Sequence, residues 1–159
     1  MNRAIIKARK LARLSAILVI LLWSVLPSLK AQTKSTATLT VRVTGARNTK
    51  GKIGVTLFQD AQGFPDDTSK AIRQQAVDID PNTMSAQVIF KDLPQGTFAV
   101  SILHDENGNG KMDKNFVGIP KEGYGASNNP KKKRRAPTFE EAKFSLGSAE
   151  QTIEITLIY

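Results

Sequence analysis

The chain has 159 residues, 23 of them basic and 14 acidic, with one histidine and no cysteine. The absence of cysteine excludes disulfides, thiolate metal sites and cysteine nucleophiles, and the length suits one ordinary domain. The formal charge of +9 would suggest a polyanionic partner, but the charge is unevenly placed and that reading fails on its distribution.

Residues 1–31 carry the imbalance. Arg3, Lys7, Arg9, Lys10 and Arg13 lead into an apolar stretch from Leu14 to Leu26, followed by Pro27, Ser28 and a small-residue site ending at Ala31. A basic segment, a short apolar segment and a small-residue site are the parts of a secretory signal peptide. The apolar stretch is shorter than the roughly 20 residues a bilayer-spanning helix needs. Cleavage is expected after Ala31. Leu29, three residues before the cut, is larger than such sites favour, so retention as an N-terminal anchor is the alternative. No cysteine follows the apolar run, which excludes a lipid-anchored lipoprotein. Cleavage would remove six basic groups, the five above and Lys30, leaving 17 basic and 14 acidic groups and a formal charge of +3. The expected product is periplasmic or secreted, with a short flexible start at 32–36 and one domain over 37–159.

Apolar residues recur at two-residue spacing, the pattern of strands with one buried face. Leu39, Val41 and Val43 form one set, and Ile53, Val55 and Leu57 a second. Met84, Ala86, Val88 and Phe90 form a third, Phe98, Val100 and Ile102 a fourth, and Ile153, Ile155, Leu157 and Tyr159 a fifth. Residues 72–79 and 139–146 are weaker strand candidates. Turn signals lie between them, among them Gly63-Phe64-Pro65-Asp66-Asp67 and Asp92-Leu93-Pro94-Gln95-Gly96. About seven short strands predict an all-β sandwich of immunoglobulin-like or transthyretin-like type. Residues 105–137 hold no strand pattern, and a loop of that length in a compact domain is usually functional or disordered.

That loop opens His104-Asp105-Glu106-Asn107-Gly108-Asn109-Gly110-Lys111-Met112-Asp113. Asp105, Asn107 and Asn109 offer side-chain oxygens at every second residue, Lys111 offers a carbonyl, and Asp113 adds a second carboxylate. These match positions 1, 3, 5, 7 and 9 of a calcium loop, with Gly110 at the sixth. The twelfth position, where a bidentate Glu belongs, is Phe116. With two acids in register, Ca2+ affinity belongs in the range of about 10⁻⁴ to 10⁻³ M, unless Glu106 or Glu122 folds back to supply another carboxylate. The other reading is that Asn107-Gly108 and Asn109-Gly110 make successive tight turns, with the Asp side chains capping backbone amides.

His104 ends a strand and precedes Asp105, so a general base centred on His104, Asp105 and Glu122 is conceivable. No nucleophile-elbow motif accompanies it, and a hydrogen-bonded structural histidine is the expectation. Lys131, Lys132, Lys133, Arg134 and Arg135 are the surviving block of charge, without which the mature chain would be net −2. Such runs usually form a solvated loop, and adhesion to an anionic surface is the functional alternative. Nucleic acid conflicts with export. Phe116, Tyr124 and Phe139 are expected to pin the long loop to the sandwich rather than to bind a sugar or peptide.

Several of these segments together resemble one family. They are Gly63-Phe64-Pro65, the run from Leu93 through Gly96-Thr97-Phe98 to Val100, the stretch from His104 through Gly118-Ile119-Pro120-Lys121-Glu122-Gly123-Tyr124-Gly125 to Asn129, and Pro137-Thr138-Phe139. Over about residues 37–159 the chain resembles the bacterial exported proteins grouped as domain of unknown function 2141. The resemblance implies export, a β-sandwich and no established activity. The Leu93–Val100 element is also similar to the strand entry of transthyretin-like and carboxypeptidase-regulatory-like modules, which implies an accessory or binding role. The five-residue basic run departs from the family pattern. The expectation is therefore an exported, non-catalytic binding or structural module, with a protein or polysaccharide partner in the cell envelope. An unrecognised enzyme and an envelope-surface adhesin are the alternatives.

Overall fold

A computed structural model of the chain describes residues 36–130, 135–147 and 149–159. The expected signal peptide, and residues 131–134 of the basic run, lie outside the described residues. The described residues form eight strands: β1 Thr36–Thr44, β2 Lys52–Phe58, β3 Arg73–Val77, β4 Ala86–Pro94, β5 Gly96–Asp105, β6 Gly123–Ala126, β7 Phe144–Leu146 and β8 Glu150–Thr156. A one-turn helix, α1, spans Phe139–Ala142.

The strands form two sheets. One is three-stranded in the order β4-β1-β8, and the other is five-stranded, with the order β3-β2-β5-β6 and β7 beside β5. β4 runs antiparallel to β1 while β8 runs parallel to it. The all-β sandwich expected from the alternation is what the chain forms. The inner faces meet in one core of Leu39, Val41 and Val43 from β1, Ile53, Val55 and Leu57 from β2, Val88 and Phe90 from β4, and Phe98, Val100 and Ile102 from β5, with others around them. Burying one such side chain stabilises the fold by about 1.5–3 kcal/mol relative to leaving it exposed. The register between β1 and β4 shifts between Ala37 and Leu39, where Asp92 takes a positive φ of 57°. This bulge puts Phe90 and Leu93, three residues apart, into the same core.

Three sequence expectations are corrected. Met84 does not belong to the third strand: it sits in the turn before it, at φ 51° with its N–H on the Asp80 carbonyl. Residues 139–146 are not one strand. Thr138 caps α1 through a capping box with Glu141, and β7 follows. Residues 105–137 are not strandless, because β6 pairs with the upper half of β5 while β7 pairs with its lower half. Ser127 spans the junction: its buried hydroxyl accepts from the Val100 N–H and donates to the Ala142 carbonyl.

A second, smaller core covers one end of the five-stranded sheet's outer face. Phe58, Ala99 and Ala126 of the sheet are packed there under Phe139 and Ala142 of α1, with Phe64 edge-on between Phe58 and Phe139. That is why β2 is buried on both faces from Val55 onward. Residues Lys34–Tyr159 form one compact unit, and both cores lie within it, so the unit has what it needs to fold without residues 1–33.

Candidate functional site

The rest of that outer face lies beyond this second core. Alternation turns Gly54 and Thr56 of β2, Gln74 and Ala76 of β3, Ser101 and Leu103 of β5 and Tyr124 of β6 outward, and paired register sets them side by side. They floor a cleft of about 990 Å³. Its walls are the Pro65–Thr68 turn, the loop after β5, and residues 135–137 before α1. The floor stays low because Gly54, Ala76 and Ser101 carry little or no side chain. Ser101 is tied down by its hydroxyl donating to the Pro65 carbonyl. Charges of both signs stand on the walls: Asp66 and Asp67 on one, Lys111, Lys114 and Arg135 on the others. Hydrogen bonds from the Ser69 hydroxyl and N–H hold the Asp67 carboxyl below its ordinary pKa.

The loop wall is braced from within. Asp105 accepts from the N–H groups of Gly108 and Asn109 on one oxygen and from Gly110 on the other, at 2.8, 3.1 and 2.8 Å. Asn107 and Asn109 each accept a backbone N–H two residues on. Their amide nitrogens then donate to the two oxygens of Asp113, at 2.7 and 3.0 Å. Four of the five candidate calcium ligands, Asp105, Asn107, Asn109 and Asp113, are therefore brought together, and Lys111 joins through its backbone N–H. Among the described residues no group of three or more Asp, Glu, His or Cys side chains could hold a metal ion.

Neither expected extra carboxylate turns toward the loop centre. Glu122, 4% exposed, accepts from the Glu106 N–H at 2.9 Å and the Asp113 N–H at 3.0 Å, fastening the two ends of the loop to each other. Glu106 pairs with the Arg47 guanidinium and accepts from the Asn48 amide. Burial raises the Glu106 pKa, but the hydrogen bonds from Asn48 and Arg47 and the Arg47 charge outweigh it, and the carboxyl lies below its ordinary value.

His104 continues the inward parity of Val100 and Ile102 and is fully buried. Nε2 lies 2.9 Å from the Lys50 carbonyl, which can only accept, so this nitrogen carries the proton. Nδ1 then accepts the Tyr159 hydroxyl at 2.7 Å. The Tyr159 oxygen also accepts from the Arg47 N–H, and the Arg47 guanidinium lies 4.5 Å from the centre of the Tyr159 ring. Burial first, and the Glu106 charge with it, push the Tyr159 hydroxyl pKa up, outweighing the hydrogen bond from the Arg47 N–H and the Arg47 charge. The conceivable trio of His104, Asp105 and Glu122 is not one constellation: His104 faces the core, Asp105 faces the loop, and all are hydrogen-bonded to other groups.

Of the basic run only Arg135 falls among the described residues, and its guanidinium grips Glu141 through two contacts of 2.8 and 2.9 Å. Phe139 pins its segment to the sandwich as expected, but Phe116 does not: it is 100% exposed. Tyr124 is half-buried in the cleft floor.

Residues 41–154 match the family model described as uncharacterized protein conserved in bacteria (DUF2141). No curated protein and no solved structure matches the chain.

Proposed function

The chain belongs to the DUF2141 family, and we propose that it is an exported, non-catalytic binding module whose ligand lies in the cleft on the outer face of the five-stranded sheet. The observation that carries this reading is the cleft itself. Its volume of about 990 Å³ falls at the upper end of the range of roughly 300–1,000 Å³ usual for ligand sites. Its floor is a sheet face kept low at Gly54, Ala76 and Ser101 and bordered by Leu103 and Tyr124, a surface that suits an elongated ligand lying flat. Walls bearing both Asp and Lys or Arg suit a chain that presents donors and acceptors along its length, such as a polysaccharide or an extended peptide of the cell envelope. The signal-peptide pattern of residues 1–31 supports the compartment.

The loop over residues 105–113 is, in this reading, the rigid wall of the cleft, held by Asx turns. A second reading, favoured by the convergence of Asn107 and Asn109 on Asp113 and their sharing of one loop with Asp105, is that the loop also takes Ca2+ weakly. Asp105 and Asp113 would supply the charge and the two Asn side chains would turn their oxygens inward.

Gly54→Phe tests the cleft. A Cβ at Gly54 would meet nothing closer than the Leu103 carbonyl at 3.7 Å, so the strand accepts a side chain there, and an unchanged thermal midpoint confirms that the ring leaves the sheet intact. Residues 34–159 are titrated calorimetrically against a panel of soluble oligosaccharides and of extended peptides. Binding by the wild type that Gly54→Phe abolishes supports the proposal. Binding that survives Gly54→Phe, or no binding across the panel, counts against it.

A further inference from the structure

Four large hydrophobic side chains are exposed among the described residues, and three of them, Phe116 at 100%, Val117 at 61% and Ile119 at 58%, share one turn between β5 and β6. The fourth, Ile89, stands alone on β4, which is ordinary for a protein surface. A cluster at a single protruding turn is not ordinary and marks an interaction site. This turn is also built to hold its apolar side chains outward. The Asn115 side chain accepts from the N–H groups of Val117 and Ile119 at 3.0 and 2.9 Å, and the Asn115 N–H donates to the Ile119 carbonyl. The Gly118 N–H closes the turn on the Asn115 carbonyl, and Lys114 bridges to Pro120 at its base. These bonds fix the main chain that carries the three apolar side chains.

Basic side chains predominate among the exposed charges around the tip. Lys114 and Lys121 flank it and Lys111 stands just beyond, all three exposed, while the two nearby carboxylates are engaged: Asp113 by the Asn107 and Asn109 amides, and the buried Glu122 by the Glu106 and Asp113 N–H groups. None of the three lysines forms an ion pair with a described residue. We propose that this turn is a membrane anchor: Phe116, Val117 and Ile119 enter the interfacial zone of an anionic lipid bilayer while Lys111, Lys114 and Lys121 rest against its headgroups. The ring of lysines behind an apolar tip is what selects a lipid surface. Apolar side chains partition into the boundary between headgroups and acyl chains, and basic groups near the surface are attracted by anionic lipid. The anchor shares Lys111 and Lys114 with a wall of the cleft, whereas its apolar tip, Phe116, Val117 and Ile119, and Lys121 lie outside the cleft lining.

A chain of residues 34–159 lacks Trp23, the one tryptophan of the sequence, so Phe116→Trp is a lone fluorescent reporter. Vesicles of phosphatidylcholine alone and of phosphatidylcholine with phosphatidylglycerol are the probes. The expected results are a blue shift and quenching by brominated lipid with the anionic vesicles, and binding that weakens as salt screens the lysines. Read by vesicle co-sedimentation, which needs no tryptophan, Phe116→Ser should lower the partition coefficient on the order of tenfold, and each Lys→Gln change by about fivefold. Thermal midpoints close to that of the wild type confirm that these exposed substitutions leave the fold intact. An unchanged spectrum with anionic vesicles overturns the proposal. So does binding kept by the triple variant Phe116→Ser, Val117→Ser, Ile119→Ser. A blue shift that grows with protein concentration in the absence of vesicles overturns it too, since it would assign the tip to self-association.

Discussion

Glu122 is the side chain on which the shape of the cleft's loop wall rests, and Glu122→Gln isolates its contribution. The carboxylate is 4% exposed and accepts two backbone amides, from Glu106 and Asp113, at the two ends of the turn-rich segment. Glutamine keeps the shape and one acceptor oxygen but sets an NH2 group against the second N–H. A hydrogen bond to a charged group contributes about 1.5–3 kcal/mol, and a buried donor left facing another donor costs about 1–3 kcal/mol. Because one bond survives, the net loss should be about 3 kcal/mol. At about 2.1 cal/mol/K per residue, a unit spanning Lys34–Tyr159 loses about 4 °C of midpoint per kcal/mol, so the expected fall is about 11 °C. The assay is calorimetric unfolding of both proteins, with amide hydrogen exchange to locate the effect. Exchange should quicken first at Glu106, Asp113 and the amides between them. An unchanged midpoint with those amides still protected would refute the reasoning.

Tyr159→Phe removes the hydroxyl that donates to His104 Nδ1 and accepts from the Arg47 N–H, and should cost about 1–3 kcal/mol in denaturant unfolding. Acid stability should depend on Glu106. Its pKa in the fold is lowered, so its contribution is complete above the unfolded value of about 4.3 and is lost as pH falls through the depressed folded value. Glu106→Gln should therefore be less stable than the wild type at neutral pH and show a shallower loss on acidification, read from midpoints taken over that window. If the loop takes Ca2+ with a dissociation constant of about 10⁻⁴ M, ten millimolar calcium should add about 2.7 kcal/mol and raise the midpoint by about 10 °C over a chelator control, with Asp105→Asn abolishing the rise. No rise would remove the calcium reading and leave the turn-braced wall in place.

The sandwich is legible because alternation is a strong signal wherever one face is buried: Leu39, Val41 and Val43, and Phe98, Val100 and Ile102, are core in the structure as in the pattern. The same parity extends to His104, which places it inside. β6 is illegible for a packing reason. Its inward positions are Gly123 and Gly125, where a Cβ would meet the Tyr159 ring at 2.6 Å and Ile155 at 2.8 Å, so side chains from another part of the chain fill the space. In α1 two local signals compete, and the reciprocal bonds of Thr138 and Glu141 outweigh the apolar spacing. The side chains of the loop were visible as a set, with every second residue from Asp105 to Asn109 carrying a polar oxygen. Their partners were not, because the choice between a metal and the backbone amides depends on where Glu122 and Glu106 turn, and spacing does not encode that. The cleft is equally unreadable, since it depends on which half of a sheet face α1 covers.

The most direct test is amide chemical-shift mapping of residues 34–159 with the strongest binder from the oligosaccharide and peptide panel. Binding in the cleft predicts that the perturbed amides gather at Gly54, Ala76, Leu103 and Tyr124, on four adjacent strands of one face. Perturbations gathered instead on the three-stranded sheet, around Gln87 and Ile89 of β4, would contradict it.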